Sequence, residues 1–397
     1  MHQIALISSP PSSSLRAGSG WLVQRNPQLA GLQCLRCEAH YPLSSANQGC
    51  RVCSGRGVYV SLRASYDSLP GVSQYLPYTS GVSLGEGGTP LTASTALAEA
   101  LGVAQLQIKD ESRNPTGSHK DRMSAVGITQ ALDFGAHTVV LASSGNAALS
   151  AAYYANAAGL ACEVAAYDGM VDAYAQQLEA YGTRRFSFTD NRGRWDFVRE
   201  RAQKPGYFAL TNYQLPALGS TPLAIEAYKT IAHECHAYNC VPNHIMVPTA
   251  RGDLAWGIYA GYRELLVAQL IAHMPKIWIV EPFARLSNVL SGASLHGEFP
   301  GHTAQFSTAG ATVTYLQWQA AVDSGGGAVT VTDSAARVAR HLLAQQGYSA
   351  ELCAAAAMAG AQQLRARNII ATQDEVLLIL TASAARDPSW PDPVLAD

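Results

Sequence analysis

Lys120 stands in the stretch "ESRNPTGSHKDRMSAVG" (111–127), between His119 and an Asp-Arg pair and just after an Asn-Pro-Thr-Gly turn. An amine at the first turn of a helix feels the positive end of the helix dipole, which favours its neutral form. A neutral, nucleophilic amine is what an imine-forming lysine requires. Pro115 and Gly117 set the turn, and Ser118 is the expected N-cap. Taken alone, a solvated lysine at a helix start is the plainer reading. Two further segments shift that balance. "LASSGNAALS" places Ser143, Ser144, Gly145 and Asn146 between a strand and a helix, where an amide side chain and helix-start N–H groups can meet an anion or carboxylate. "LILTASAARDP" ends a strand in Thr381, a hydroxyl at a strand carboxyl end.

A second chemistry is written nearer the N-terminus. Of eight cysteines, four form two Cys-x-x-Cys pairs, Cys34/Cys37 and Cys50/Cys53, in "GLQCLRCEAHYPLSSANQGCRVCSGRGVYV". So few large apolar side chains lie between the knuckles that the module cannot hold a core of its own, and tetrahedral thiolate coordination of zinc would hold it together. Four cysteine ligands leave no open position, so the zinc would be structural; a redox pair is the competing reading. "HECHAYNC" gathers His233, Cys235, His236 and Cys240, but at helical spacing these point to different faces, and we read them as structural.

The elements that must position these groups follow from the apolar pattern. After a Tyr/Ser/Pro/Gly-rich linker (about 66–83), strand-like runs alternate with Ala-rich helical segments. "HTVVLA" leads to "NAALSAAYYANAAG", "ACEVAAY" to a helix through Gln176–Leu178, and "HIMVPT" to "DLAWGIYAGYRELLVAQLIA". "KIWIVEP" precedes another helix, and "EVLLILTAS" is the last strand. This alternation predicts an α/β fold with largely parallel sheets covered by helices. In such sheets ligands gather at the carboxyl ends of strands, where the motifs fall.

Composition excludes other classes. With 397 residues and 48% hydrophobic content the chain supports two domains and a small module. Charged residues are only 14% and net charge is -2, so neither a nucleic-acid field nor a polybasic membrane patch is present. The stretch Phe134–Cys162 lacks charge but is interrupted by His137, Ser143, Ser144, Asn146 and Asn156, which suits a buried strand and helix better than a bilayer span. The N-terminus carries no apolar core followed by a cleavage site. A cytoplasmic enzyme acting on a small molecule is expected.

Together and in this order, the segments resemble the threonine synthase branch of the fold-type-II pyridoxal-phosphate enzymes, the tryptophan synthase β superfamily. The resemblance spans about residues 30–390. It rests on the cysteine ribbon, "SLGEGGTPL" (83–91), "NPTGSHKDR" (114–122), "SSGN" (143–146), "VPT" with "GD" (247–253) and "LTASAARDP" (380–388). It implies that Lys120 is the Schiff-base lysine and then the proton shuttle, that Asn146 bonds the phenolic oxygen of pyridoxal 5'-phosphate, and that Thr381 faces its ring nitrogen. Ser143, Ser144 and Gly145, with Thr116, would hold the substrate carboxylate. Thr249, Arg251, Gly252 and Asp253 would hold the cofactor phosphate. The implied organisation is an arm (1–30), the four-cysteine zinc-ribbon-like module (31–62), a large cofactor domain (63–120 and 225–397) and a small mobile domain (121–224), in a homodimer.

Two departures stand out. The phosphate loop "VPTARGDLAWG" has Gly252 as its sole glycine before Gly257, whereas glycine normally lets several N–H groups approach the anion. His119 replaces the aromatic residue usual before the lysine in threonine synthases, resembling tryptophan synthase β. It either contacts the cofactor phosphate or packs in the aromatic's place. Three activities follow: threonine formation from O-phosphohomoserine and water, β- or γ-replacement on another activated amino acid such as O-phosphoserine, or an inactive interaction protein. Arg184, Arg185, Arg192 and Arg194 either meet an anionic substrate or form a solvated face.

Overall fold

Val139, Val140 and Leu141 are buried without interruption, the signature of a parallel strand covered on both faces. The computed structural model describes residues 15–16, 20–45, 49–67 and 76–387. These form two compact units, one from the described residues up to 86 with 120–228, the other from 87–119 with 229–387.

The first unit holds a four-stranded parallel sheet in the order Arg184–Phe188, Ala161–Tyr167, Thr138–Ala142, Tyr207–Ala209. Helices Lys120–Asp133, Asn146–Ala157, Asp172–Ala180 and Asn191–Ala202 belong to it. Small residues let the first of these approach closely: a Cβ on Gly127 would lie 3.0 Å from Leu210 Cδ2. Ser150 also donates to Ser124 across the helix pair at 2.7 Å.

Within the stretch read as an arm, residues 22–25 form a strand. Leu22–Arg25 pairs antiparallel with Tyr78–Ser80, inside the stretch read as a linker. Arg25 and Tyr78 both bond Asp133, at 2.5 and 2.9 Å. Residues 1–14, 17–19 and 68–75 lie outside the described residues. The cysteine module is built on an antiparallel sheet of His40–Tyr41, Leu29–Cys34 and Leu62–Tyr66, so it extends slightly beyond 31–62.

The second unit carries a six-stranded sheet in the order Gly327–Thr330, Lys276–Glu281, His244–Pro248, Glu375–Leu380, Gln105–Asp110, Leu91–Ala93. All pairings are parallel except the last. Helix Leu352–Ala366 packs on it through a buried alanine face. A Cβ on Gly360 would lie 3.0–3.1 Å from Met246, Val280 and Val329, so glycine sets how near the helix comes to the sheet.

Unit boundaries differ from the expected ones. Residues 63–86 and 225–228 group with the first unit, and the boundary falls between His119 and Lys120. The strand Gln105–Asp110 was not singled out from sequence because Gln105, Gln107 and Lys109 break its apolar run, although Lys109 is fully buried. Helix 253–267 stops at Val267, short of the apolar run that suggested it.

The C-terminal end of the described chain is held by charge. Asp387 accepts from Arg340 Nη1 at 2.9 Å and from Leu352 N at 2.7 Å, with both charged side chains buried. Removing one partner leaves an uncompensated buried charge, costing about 3–5 kcal/mol. Asp387→Ala should therefore lower the thermal midpoint clearly, whereas the exposed pair Asp196–Arg199, deleted as Asp196→Ala, should leave it nearly unchanged.

Candidate active site

In the second unit a short antiparallel pairing brings two motifs together. His119 N donates to Thr381 O at 2.9 Å and Ser383 N to Gly117 O at 2.9 Å, with Ser118 opposite Ala382. Gly117 has φ +81, and a Cβ there would lie 3.1 Å from Arg386 Nη2, whose guanidinium holds the Thr116 carbonyl. Ser118 thus pairs through its backbone with Ala382, and the helix begins at Lys120. His119 Nδ1 lies 3.0 Å from the same Thr381 carbonyl. A carbonyl only accepts, so the proton sits on Nδ1. The ring contact found for His119 is therefore with the strand end. Thr116 and Thr381 are buried and His119 is half-buried.

The "GEGGTPL" loop is tied to the same turn. Gly87 N donates to Asn114 Oδ1, Thr89 Oγ1 to Glu111 Oε1, and Asn114 Nδ2 to Glu111 Oε2. Buried Lys109 donates to the Thr89 carbonyl at 2.5 Å and to Glu234 at 2.6 Å, and Glu234 also takes Gly88 N. Lys109 and Glu234 are members of this framework that the sequence did not mark, since each looks like an ordinary surface charge.

The loop Thr249–Gly252 joins strand His244–Pro248 to the helix Asp253–Val267. Thr249 uses its N–H on Val280 O at 3.0 Å and its hydroxyl on Val247 O at 2.7 Å, so it anchors the loop. Gly252 (φ +98) caps the helix with no side-chain bond, and Asp253 opens it. A Cβ on Gly252 would come within 2.5–2.8 Å of Gln317 Cβ, Cα and N. Gln317 is fully buried, yet its Nε2 and Oε1 meet no partner among the described residues. A helix start without a side-chain cap, glycine where a Cβ has no room and an orphaned buried amide fit a phosphate group.

In the first unit, Lys120 opens its helix half-buried, with Nζ 5.8 Å from the Tyr228 ring centroid. Asn146 is buried at the start of its own helix, where Tyr174 donates to Oδ1 at 2.9 Å. That bond orients the amide with Nδ2 as its donor side. Tyr174 was missed from sequence; nothing distinguishes it from other helical tyrosines. Ser143 Oγ accepts from Gly145 N and Ala148 N, and Ser144 Oγ from Tyr167 N at 2.7 Å, so both hydroxyls shape the half-exposed loop around Gly145. Tyr154 donates to Glu86 at 2.8 Å; burial and the charges of Asp121 and Glu86 push its pKa up, which keeps it a donor.

The arginine group divides. Arg184 and Arg201 pair with buried Glu163 at 2.8 Å. Arg194 is buried, donating to Ala165 O at 3.1 Å and stacking on Tyr167 at 4.0 Å. Arg185 and Arg192 are exposed or half-exposed.

Sγ atoms of Cys34, Cys37, Cys50 and Cys53 all lie within 4.8 Å of one another. Backbone N–H groups of Arg36 and Cys37 point at Cys34 Sγ, and that of Cys53 at Cys50 Sγ. In "HECHAYNC", His233 faces Glu264 at 3.3 Å, while Cys235 and Cys240 are buried at the helix end.

In each unit the chemistry-bearing residues stand at helix starts beside parallel strand ends, the arrangement of an α/β cofactor enzyme. The chain belongs to the pyridoxal-phosphate dependent enzyme family, whose model matches residues 82–382, and within it to the threonine synthase-like members. It is 30% identical over 384 residues to the threonine synthase of Methanosarcina acetivorans, covering 90% of this chain and 92% of that one. It is 31% identical over 340 residues to that of Methanocaldococcus jannaschii, covering 80% and 81%. Its fold is similar to that of a fungal L-serine ammonia-lyase from Rhizomucor miehei (TM-score 0.63, 19% identity, covering 75% of this chain and 94% of that one). Maize serine racemase is similar too (TM-score 0.64, 18% identity, 75% and 88%).

The positive φ at Gly252 and the nearness of Gln317 predict that Gly252→Ala is strained. The left-handed conformation alone costs about 1–3 kcal/mol. A melt of the cofactor-free protein should show a lowered midpoint, and an unchanged midpoint would contradict the close packing.

Proposed function

We propose that the protein converts O-phosphohomoserine and water into threonine and phosphate. The observation that carries this reading is the pairing of Gly117–His119 with Thr381–Ser383, which joins the turn just before Lys120 to a strand end that bears a hydroxyl, not a carboxylate. Pyridoxal phosphate would supply the electron sink for deprotonation at the amino-acid Cα. A hydroxyl at Thr381, were it to face the cofactor's ring nitrogen, would not hold that nitrogen protonated, which would temper the sink and suit elimination and replacement. Lys120 would hold the cofactor and, when free, would move protons at Cα, Cβ and Cγ: phosphate leaves from Cγ, which gains a proton, and water adds at Cβ. Asn146, oriented by Tyr174, would donate to the cofactor's phenolic oxygen. Helix-start N–H groups around Ser143, Ser144 and Gly145, with Thr116, receive the substrate carboxylate. Thr249, Arg251, Gly252 and Asp253 form the phosphate loop. We assign His119 to holding Thr381, in place of the phosphate contact the sequence suggested.

Phosphate release measured side by side on O-phosphohomoserine and O-phosphoserine tests the assignment. Release with threonine is expected from the first, falling about 100- to 10,000-fold in Lys120→Ala. Release from O-phosphoserine alone would replace it with β-replacement chemistry. Release from neither would refute a phosphate leaving group.

We further assign a structural zinc to Cys34, Cys37, Cys50 and Cys53, supported by the mutual approach of their sulfurs and the N–H bonds that thiolates accept. Elemental analysis should give about one zinc per chain, and Cys53→Ser should lower both zinc content and thermal stability. Zinc-free wild-type protein of unchanged stability would overturn it.

A further inference from the structure

The loop 249–252 must serve an anion with one glycine, and its carbonyls show how. Arg285 Nη2 donates to the Thr249 carbonyl at 2.8 Å, and Nη1 to the Ala250 carbonyl at 3.1 Å and to that of Gly310. The Thr314 hydroxyl donates to the Arg251 carbonyl. The Gly252 carbonyl accepts Trp256 N at 2.8 Å as the first bond of the helix. Four consecutive carbonyls are therefore each committed to a donor. In a trans peptide the carbonyl and the following N–H point in opposite directions. The N–H groups of Ala250, Arg251 and Gly252 are thereby turned away from Arg285 and Thr314. Beyond them come the N–H groups of the first helical turn, which have no acceptor four residues back.

Arg285 is suited to this task by its own surroundings. Its side chain is fully buried, with Nε 3.6 Å from Glu281, which also takes the N–H groups of Arg285, Leu286 and Ser287. Burial lowers its pKa to about 10, opposed by Glu281 and reinforced by the charge of Arg251, so it remains a cation at neutral pH. Glycine opens such a loop by conformational freedom; here side-chain donors impose the peptide orientation instead.

We propose that Arg285 is a positioning residue for the cofactor phosphate, holding the carbonyls of residues 249 and 250 so that the loop presents N–H groups to the anion, with Thr314 doing the same for residue 251. The proposal rests on the pyridoxal-phosphate reading of this loop. It involves no contact between Arg285 and the phosphate.

The test titrates cofactor-free wild type, Arg285→Lys, Arg285→Met and Thr314→Val with pyridoxal 5'-phosphate and, separately, with pyridoxal, following absorbance. Arg285→Met should weaken binding of the phosphorylated form about 10- to 100-fold, the worth of bonds from a charged donor, while pyridoxal binding stays nearly constant. Arg285→Lys should recover part of the loss. Thr314→Val, which removes one hydroxyl and strands no charge, should show a smaller loss of the same kind, and it decides the matter if Arg285→Met does not fold. Parallel weakening for both ligands, or no weakening in any variant, would overturn the proposal. Equal wild-type affinity for both ligands would overturn the phosphate role of the loop itself. Failure of the phosphate-release assay, with the titration as expected, would touch only the substrate assignment.

Discussion

Pairing of three residues, Gly117–His119, with three others, Thr381–Ser383, is the constraint on which the site depends. It ties a turn early in the chain to the end of the last strand, using backbone bonds that no side-chain substitution removes directly. Gly117 permits the turn, Arg386 closes it over the Thr116 carbonyl, and the His119 ring adds a second donor to the carbonyl of Thr381. Lys120 follows directly in the chain and is the first residue of its helix.

Around that pairing the second unit uses buried charge as internal scaffolding. Lys109 and Glu234 hold the "GGTP" loop, Glu281 and Arg285 hold the loop before the helix at Asp253, and Arg340 and Asp387 hold the end of the last motif. Each pair is also bonded to backbone through at least one of its members, which is a condition for tolerating charge in a low-dielectric interior. The apolar sheets supply the bulk of burial, while these pairs set the shape of the loops at the strand ends. In the first unit a neutral bond does the corresponding work, Tyr174 orienting Asn146.

Much was legible beforehand because it was written in local pattern. Thr138–Ala142, Ala161–Tyr167, His244–Pro248, Lys276–Glu281 and Glu375–Leu380 are mostly apolar runs, and buried parallel strands leave that trace. The helix at Asn146 follows its Ser-Ser-Gly motif directly, and the four cysteines announce themselves by spacing. Other elements were hidden. Gln105–Asp110 alternates polar residues, and Lys109 looks exposed until Glu234, 125 residues away in sequence, is found beside it. Leu22–Arg25 looked like part of a soft arm because its partner, Tyr78–Ser80, lies inside a Tyr/Ser/Pro/Gly-rich stretch. The unit boundary at His119/Lys120 was also invisible, since it falls inside a single motif.

The sequence by itself determined the types of the chemical groups and the class of scaffold: a lysine at a helix start, an asparagine at another, a hydroxyl at a strand end, and parallel strands to carry them. Periodicity and helix-start chemistry are local, so a linear reading reaches them. Tertiary structure alone decided what each group is bonded to. It paired Ser118 with Ala382, set His119 on Thr381, and put Arg285 behind a loop with one glycine. Those outcomes depend on residues tens to hundreds of positions apart, and hydrogen-bond partners at that separation leave no period in the sequence to read.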